Sequence, residues 1–320
     1  MVNSNKLLKP IFWIEKERFN EEIVDCLTVI LKTKGCYWAR KGGCLMCGYI
    51  ADSYPSSYEE LIKQFEFAVG SKEFQVLKIF TSGSFFDVRE IPERFRKYIY
   101  SKIDELNVKK LIVESRPEFV TQNVVTEISN LRFEVEVGIG LETADDFIRE
   151  HCINKGFTFK DFERAAKLLK ENDIRVKAYL LLKPPFLSER EAIEDSINSA
   201  IKIKNLVDVV SLNPTNIHSN TYVERLWKLK LYRPPWLWSV VEVLRQVNKK
   251  KIKIISDPVA AGKVRGTHNC GKCDKEVARA IRNFSLYQDV NLLNVDCNCK
   301  ELWEKVVGLE DFSRIPLFTD

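Results

Sequence analysis

The sequence predicts an α/β fold in which six parallel strands and the helices between them form a partial (β/α)6 barrel, followed by a smaller C-terminal domain that carries cysteines. Three observations predict this fold: short apolar runs rich in β-branched residues, helical patterns between those runs, and polar residues or glycine where the runs end. The chain of 320 residues is 45% hydrophobic, which is enough for a large buried core.

The six predicted strands are almost continuously apolar, as expected of parallel strands covered on both faces. They lie at 23–31, 76–80, 110–115, 133–140, 175–182 and 207–213. Helical patterns lie between them at 57–69, 92–105, 117–129, 158–171 and 188–203. Pro92 and Pro117 near two starts, and Ser188 before an acidic first turn, are typical of helix N-termini.

The pattern changes after residue 214. A helix is predicted from Pro234 to about residue 248, a candidate strand at 251–256, and another helix at 274–287. We therefore expect two domains, a barrel over 1–219 and a basic C-terminal domain over 220–320.

The basic residues are concentrated in one part of the chain. Residues 221–285 carry 15 Lys and Arg against 5 Asp and Glu, whereas the whole chain has a net charge of +5. A concentrated positive field favours a polyanion such as nucleic acid, although a lysine-rich surface of thermophile type is an alternative. The candidate tRNA-binding residues here are Lys249, Lys250, Lys251, Lys253, Lys263 and Arg265.

No run of 18 apolar residues and no secretory signal pattern occurs, so we expect a soluble cytoplasmic protein with no membrane partner. Cytosolic thiols stay reduced, which makes metal binding a better explanation than disulfides for clustered cysteines. Seven of the nine cysteines fall in two groups. The other two, Cys26 and Cys152, are expected to be small buried hydrophobic residues.

The first cysteine group has the spacing C-x7-C-x2-C, formed by Cys36, Cys44 and Cys47 directly after the first predicted strand. A structural zinc site normally needs four protein ligands, whereas a [4Fe–4S] cluster on three thiolates keeps one iron open for a substrate or cofactor. The spacing favours the open cluster. A zinc site completed by a distant histidine such as His151 is the alternative.

The second cysteine group has the spacing C-x2-C-x23-C-x-C, formed by Cys270, Cys273, Cys297 and Cys299. Four thiols in two close pairs match a closed tetrahedral zinc site. An auxiliary iron–sulfur cluster would use the same ligands, and disulfides are the least favoured explanation in this compartment.

Polar residues and glycines follow the predicted strands, at the end where barrel-like α/β folds place their sites. They include the segments 81–84, 114–117, 138–142 and 183–185, and then Asn213 and Thr215. A polar set at every strand end, with a thiolate loop at the first, favours a cofactor site. Lys183, Asn213 and Arg116 could contact a substrate, with ordinary loop capping as the alternative.

These features resemble radical S-adenosylmethionine (SAM) enzymes, in the branch related to the catalytic subunit of Elongator, which also spaces its first two cysteines widely. The resemblance implies a barrel of radical SAM type, with a [4Fe–4S] cluster on Cys36, Cys44 and Cys47. It also implies that SAM is contacted by residues at the strand ends. These are Thr81, Ser82, Gly83, Ser84, Glu114, Arg116, Gly138, Gly140 and Glu142.

A narrower resemblance is carried by GCYWARKGGCLMCGY, VGIGLET with NKGFTF, YLLLKPPF, and HNCGKCDKEVARAI with the later CNC. These runs are similar to the archaeal radical SAM enzymes of archaeosine synthesis. That family implies a tRNA substrate whose position 15 carries a lysine-adducted 7-deazaguanine, and a lyase reaction that breaks a C–N bond through a 5′-deoxyadenosyl radical. It also implies an external electron donor, and the adduct-forming archaeosine synthase ArcS as a partner.

Two other classes of function compete with this hypothesis. One is another radical SAM enzyme acting on tRNA, by methylthiolation or Elongator-like chemistry; only about 100 residues follow the predicted barrel, too few for an acetyltransferase domain as well. The other is a non-catalytic zinc protein that binds RNA, which would contain no iron and would not consume SAM.

Overall fold

The structure is a computed structural model and describes residues 9–313. Eight strands occur within this part of the chain: β1 Ile11–Phe19, β2 Glu22–Ile30, β3 Val76–Phe80, β4 Lys110–Ser115, β5 Glu134–Glu142, β6 Arg175–Leu182, β7 Val209–Pro214 and β8 Ile254–Ile255. The α-helices of the same part are α1 Tyr58–Val69, α2 Glu93–Glu105, α3 Gln122–Ser129, α4 Phe159–Lys170, α5 Glu189–Ile203, α6 Tyr222–Lys228, α7 Leu237–Lys249, α8 Asp274–Tyr287 and α9 Cys299–Leu309.

The chain divides into two compact units. The first contains the described residues up to Gly42, together with Tyr49–Gly140 and Asp161–Val176. The second contains Gly43–Gly48, Leu141–Lys160 and the described residues from Lys177 onward. The predicted domain boundary at 219 and 220 stays a prediction.

In the first unit, β2, β3, β4 and β5 pair in chain order and in parallel. The order follows from the helical crossovers, because α1, α2 and α3 each return the chain to the start of the next strand. Ser57 caps α1 with Glu60 in a capping box, and Thr121 caps α3. The predicted helix over 117–129 is wrong at its start, because Pro117–Phe119 forms a separate 3₁₀ turn before Thr121.

Strand β1 was not predicted. It pairs antiparallel with β2, with Ile11 opposite Ile30 and Phe19 opposite Glu22. Its burial pattern is irregular and several of its apolar side chains are exposed, so it lacks the continuous apolar run that identified the other strands.

The strands of the first unit carry ion pairs, one half-buried group and one buried pair, that interrupt their apolar character. The Lys78 ammonium lies 2.7 Å from Glu15 and 2.5 Å from Glu17, and Lys110 lies 2.7 Å from Glu136. Burial alone would lower the pKa of Lys78, but the facing carboxylates raise it above its usual value. Lys110 is therefore a charged residue of the interior, whereas Lys78 is a charged residue at its edge.

In the second unit, β6, β7 and β8 pair in order and in parallel. Ser188 caps α5 through a capping box with Glu191, as its position before an acidic turn predicts. Helix α7 packs against α5 and α8, and α9 packs against α5. Helices α6 and α9 were not predicted. Within residues 9–313, no helix combines the length and the apolar character needed to span a membrane.

Candidate functional site

The first unit presents Cys36 on the loop that follows β2. The next residue, Tyr37, donates its hydroxyl to Glu118 Oε1 at 2.7 Å. The Arg116 guanidinium lies 5.5 Å from the Tyr37 ring and 5.7 Å from the Trp38 ring. These contacts fix the backbone on the C-terminal side of Cys36, and they place a cation near its thiol.

The segment 81–84 follows β3 and lies against the Cys36 backbone. A Cβ atom built on Gly83 would be 2.8 Å from both the Cα and the N of Cys36, so the contact requires glycine. Ser84 is buried, and its hydroxyl accepts a hydrogen bond from Arg116 N at 3.1 Å. The predicted SAM-contacting residues Ser84 and Arg116 are thus directly connected.

Glu90 belongs to the same cluster and was missed in the sequence. Its carboxylate is 5% exposed and accepts hydrogen bonds from Thr33 and Ser84. Burial raises its pKa, although these hydrogen bonds act in the opposite direction. The sequence gives only a weak signal, because Glu90 is one of three charged residues in the run FFDVREI.

The ends of β4 and β5 also carry predicted SAM-contacting residues. Glu114 pairs in register with Gly138. Gly138 is buried and Gly140 is half-buried. Glu142 is nearly buried, with a left-handed backbone φ of 68°, and its carboxylate lies 2.5 Å from the Lys155 ammonium. This backbone conformation costs free energy for a residue other than glycine.

In the second unit, the segment Gly43–Gly48 carries Cys44 and Cys47. Leu45 N donates to Ile153 O at 2.9 Å, and the Asn154 side-chain amide donates to Gly43 O at 2.8 Å. These bonds connect the segment to Ile153 and to Asn154, the first residue of the NKGFTF run.

The other end of this segment is held by His218. Gly48 N donates to His218 Nδ1 at 3.3 Å, and a Cβ atom on Gly48 would lie 2.6 Å from His218 Cβ. His218 follows β7, where no signal beyond its residue type marked it as a neighbour of the cysteine loop. Close approach therefore requires glycine directly after Cys47.

Two residues predicted to contact substrate have other partners. Lys183 is 3% exposed, and its ammonium lies 2.7 Å from Glu189 and 3.3 Å from Glu310. Asn213 is half-buried and its side-chain oxygen accepts from Ser211 Oγ at 3.4 Å. The substrate contacts of Lys183 and Asn213 stay predictions, and in this structure the Lys183 ammonium is buried between two carboxylates.

The predicted basic surface is partly present. Lys249, Lys250, Lys251 and Lys263 are exposed, and Lys253 is half-buried. Arg265 differs from them: its guanidinium lies 2.6 Å from Glu224 and 5.0 Å from the Trp227 ring. The hydrogen bond from Arg265 lowers the pKa of Glu224 to about 2. Arg265 thus already pairs with a carboxylate of its own unit, which distinguishes it from the exposed lysines of the basic surface.

The four cysteines of the second group come together. The Sγ of Cys270 lies 3.9 Å from that of Cys273 and 3.8 Å from that of Cys297, and Cys273 lies 3.6 Å from Cys299. All four sulfurs lie within 4.8 Å of one another. Zinc bound by sulfur at about 2.3 Å would place its four sulfurs about 3.8 Å apart.

Neighbouring groups donate hydrogen bonds to these sulfurs. The Trp238 indole N–H donates to Cys299 Sγ at 3.3 Å, and the Asn269 amide donates to Cys273 Sγ at 3.4 Å. A hydrogen bond from the Cys273 backbone lowers the pKa of Cys270 to about 7, whereas burial raises the pKa values of Cys273 and Cys299 despite these donors. Such donors stabilise thiolates, which are the form that binds metals.

The two isolated cysteines are buried, as predicted. Cys26 and Cys152 are both 0% exposed. Burial raises the pKa of Cys26 to about 12, so its thiol stays protonated.

Comparisons with known proteins identify the family to which the chain belongs. The radical SAM superfamily model matches residues 30–198, and the chain is therefore a radical SAM enzyme. Archaeosine synthase subunit beta of Methanosarcina acetivorans is 46% identical over 313 residues, which cover 94% of this chain and 90% of that protein. The subunit of the same name from Thermococcus kodakarensis is 39% identical over 95% of this chain and 99% of its own length.

Within the radical SAM superfamily, the chain belongs to the archaeosine synthase subunit beta family. The prediction that the chain is a radical SAM enzyme that modifies tRNA is confirmed.

Solved structures confirm the predicted fold class. The queuine lyase from Clostridium spiroforme, bound to SAM and queuine, aligns with a TM-score of 0.51 at 23% identity, over 68% of this chain and 86% of that one. The archaeal Elp3 of Methanocaldococcus infernus aligns with a TM-score of 0.53 at 18% identity, over 82% of this chain and 63% of that one. At these identities the likeness concerns the fold alone.

Proposed function

We propose that this enzyme is a lyase that acts on tRNA. Its substrate is a 7-deazaguanine at position 15 that carries a lysine adduct, and cleavage of the C–N bond to the lysine portion leaves archaeosine on the tRNA. The observation that carries the proposal is the 46% identity to archaeosine synthase subunit beta over nearly the whole length of both chains. The three-thiol loop supports it, because this reaction class needs an open cluster.

Cys36, Cys44 and Cys47 fit the donor set for a [4Fe–4S] cluster, since they supply three half-buried thiols and leave one iron open. When bound, such a cluster supplies the electron that splits SAM into methionine and a 5′-deoxyadenosyl radical. The chain's own residues would orient the reactants. The segment 81–84 would meet the amino end of SAM, with Glu114 and Arg116 near its ribose or carboxylate.

Further contacts to SAM are assigned to the end of β5. Gly138 and Gly140 present a side-chain-free backbone, which suits close approach of the adenine. The Glu142 carboxylate, oriented by Lys155, would complete this edge of the site. The chain would thereby exclude water around the reacting hydrogen of the lysine portion.

The four-cysteine site is proposed to hold one zinc ion. Support comes from the sulfur separations, because a single tetrahedral ion requires all four sulfurs close together. A cubane cluster binds each thiolate at a different iron and would hold the sulfurs farther apart. This geometry favours zinc over an auxiliary cluster, and with it the lyase over a methylthiolating enzyme.

The tRNA is proposed to bind the lysine-rich surface of the second unit. Its exposed members, Lys249, Lys250, Lys251 and Lys263, carry uncompensated positive charge of the kind that attracts phosphates. Extrusion of the adducted nucleotide from the tRNA would let it reach the SAM site. Archaeosine synthase ArcS and an external electron donor are the proposed protein partners, in the cytoplasm with the tRNA.

The test uses anaerobically reconstituted enzyme with dithionite, SAM and tRNA that carries the lysine adduct at position 15. We expect archaeosine to form together with 5′-deoxyadenosine, both measured by mass spectrometry of nucleosides. The matched control is the same tRNA with a 7-deazaguanine that lacks lysine, which should give no archaeosine. Formation of 5′-deoxyadenosine with an unchanged adduct, or sulfur added to the tRNA, would contradict the lyase assignment.

A further inference from the structure

Glu90 is a buried carboxylate to which the proposed reaction assigns no role. It lies in the turn between β3 and α2, where its backbone N–H donates to Asp87 O at 2.9 Å. Its side chain is therefore presented from a short, hydrogen-bonded turn. A buried carboxylate is costly unless its oxygens are hydrogen-bonded, so its partners matter.

The two carboxylate oxygens connect two separate segments. Oε1 accepts from the Thr33 hydroxyl at 2.5 Å, and Oε2 accepts from Ser84 N at 2.6 Å. Thr33 lies three residues before Cys36, and Ser84 ends the segment 81–84. One carboxylate thus holds the approach to a cluster ligand and the segment proposed to meet SAM.

The position of Gly83 shows how closely the segment 81–84 packs against Glu90 and the Cys36 backbone. A Cβ atom at this position would collide with Glu90 Oε2 as well as with the Cys36 backbone. Gly83 N donates to Thr81 Oγ1 at 3.1 Å, which closes the segment on itself. The segment therefore has little freedom to move relative to Cys36 while Glu90 is in place.

We propose that Glu90 is a positioning residue, which fixes the segment 81–84 against Cys36 and so sets where the amino end of SAM meets the open iron of the cluster. This inference rests on the proposed cluster and SAM assignments and adds a residue to them. In this proposal Glu90 acts through Thr33 and Ser84 and contacts neither the cluster nor SAM. Its effect is on SAM binding, not on cluster assembly.

The test compares Glu90→Ala with Glu90→Gln in the full-length, reconstituted enzyme. The glutamine oxygen can accept from Ser84 N while its amide donates to Thr33 Oγ1, so both connections survive without the charge. Alanine removes both. We expect Glu90→Ala to weaken SAM binding by about tenfold or more, as is typical of outer-shell residues, and Glu90→Gln to stay within about threefold of wild type.

Three readouts separate positioning from a general structural role. Iron content should be unchanged in both variants, and the SAM-induced change in the electron paramagnetic resonance spectrum of the reduced cluster should require higher SAM in Glu90→Ala. The KM for SAM in 5′-deoxyadenosine formation should rise more than kcat falls. Thr33→Val, which deletes one hydroxyl donor, provides a milder variant if Glu90→Ala does not fold. It should also weaken SAM binding.

The matched control is Glu93→Ala, because Glu93 lies on the exposed first turn of α2 and pairs only with Lys97 among the ion pairs of the described chain. It should bind SAM as wild type does. Wild-type SAM binding in Glu90→Ala or in Thr33→Val would overturn the inference, and so would a Glu90→Gln variant as impaired as Glu90→Ala. A wild-type protein that assembles no iron cluster would overturn the proposed function together with this inference.

Discussion

The two cysteine groups differ in how far the chain alone builds the geometry of a metal site. In the second group, four sulfurs already lie at the separations of a tetrahedral ion, and two of them receive N–H hydrogen bonds. In the first group, the contacts go to the backbone around the cysteines: Gly83 lies against Cys36, and Asn154 holds Gly43. A structural ion is specified by its ligands, whereas a catalytic cluster also needs a surrounding loop that leaves one side open.

Cys44→Ala is expected to give the largest effect on the first group alone. Removal of one of three thiolates should reduce iron from about four per chain to background and abolish 5′-deoxyadenosine formation. Zinc should stay near one per chain. Metal analysis of anaerobically purified protein checks both numbers. Cys26→Ala is the control, since Cys26 is a buried, protonated thiol, and it should keep its iron.

Cys297→Ser tests the second group in the same way. Loss of the structural ion should remove zinc and lower the melting temperature by about 10 °C or more, since structural zinc contributes several kcal/mol to folding. Iron bound by the first group should remain after reconstitution. The comparison between the groups would fail if iron, not zinc, disappeared from this variant.

Trp238→Phe should have an intermediate effect, because it deletes the N–H that donates to Cys299 Sγ but no ligand. Zinc affinity, measured by competition with a chelator, should fall about 10–100-fold. Trp303→Phe is the matched control: the Trp303 indole donates at 2.8 Å to the Ser239 hydroxyl. Equal zinc loss in both variants would mean that packing, not the hydrogen bond to sulfur, supports the site.

Substitutions of Asn154 should have the smallest effect on cluster stability. They separate the contribution of its hydrogen bond to Gly43 from that of its left-handed backbone. Asn154→Gly keeps the left-handed backbone (φ 58°) but loses the hydrogen bond to Gly43 O, at a cost of about 1 kcal/mol. Asn154→Ala should cost about 1 kcal/mol more, because alanine disfavours this conformation. Both variants should lose the cluster in air faster than wild type, with zinc unchanged. Identical rates of cluster loss in the two variants would show that the left-handed backbone conformation at residue 154 does not contribute to cluster stability.

The sequence predicted what short-range patterns encode. The strands from β2 to β7 follow apolar runs, and the strand-end segments follow from them. Both cysteine spacings indicated metal ligands, and for the second group the structure brings the sulfurs together. The ion-pair partners of Lys183 and Arg265 were not predicted, because they include carboxylates far along the chain. Glu310 is 127 residues from Lys183, and Glu224 is 41 residues from Arg265.

Glu90 and His218 were missed for a related reason. Each is an ordinary residue type in a loop, and its role depends on which backbone groups the fold brings to it. A carboxylate between Thr33 and Ser84 has no sequence spacing that would distinguish it from a surface glutamate such as Glu93. The spacing of cysteines in the sequence identifies candidate metal ligands. Only the contacts in the folded structure identify residues such as Glu90 and His218, which hold the segments that carry those ligands.

The ion pairs of Lys183 have a consequence for synthesis of the chain. Glu310 accepts from Glu189 N at 2.6 Å and faces the Lys183 ammonium, while Arg190 donates to Val307 O at 3.0 Å. The turn between β6 and α5 therefore obtains its last partners only when the ribosome has added more than a hundred further residues. Until then Lys183 can pair with Glu189, but the Glu189 N–H and the Arg190 guanidinium lack their acceptors from the C-terminal segment. A chain released before Glu310 would therefore lack these contacts and be a natural target for proteolytic quality control.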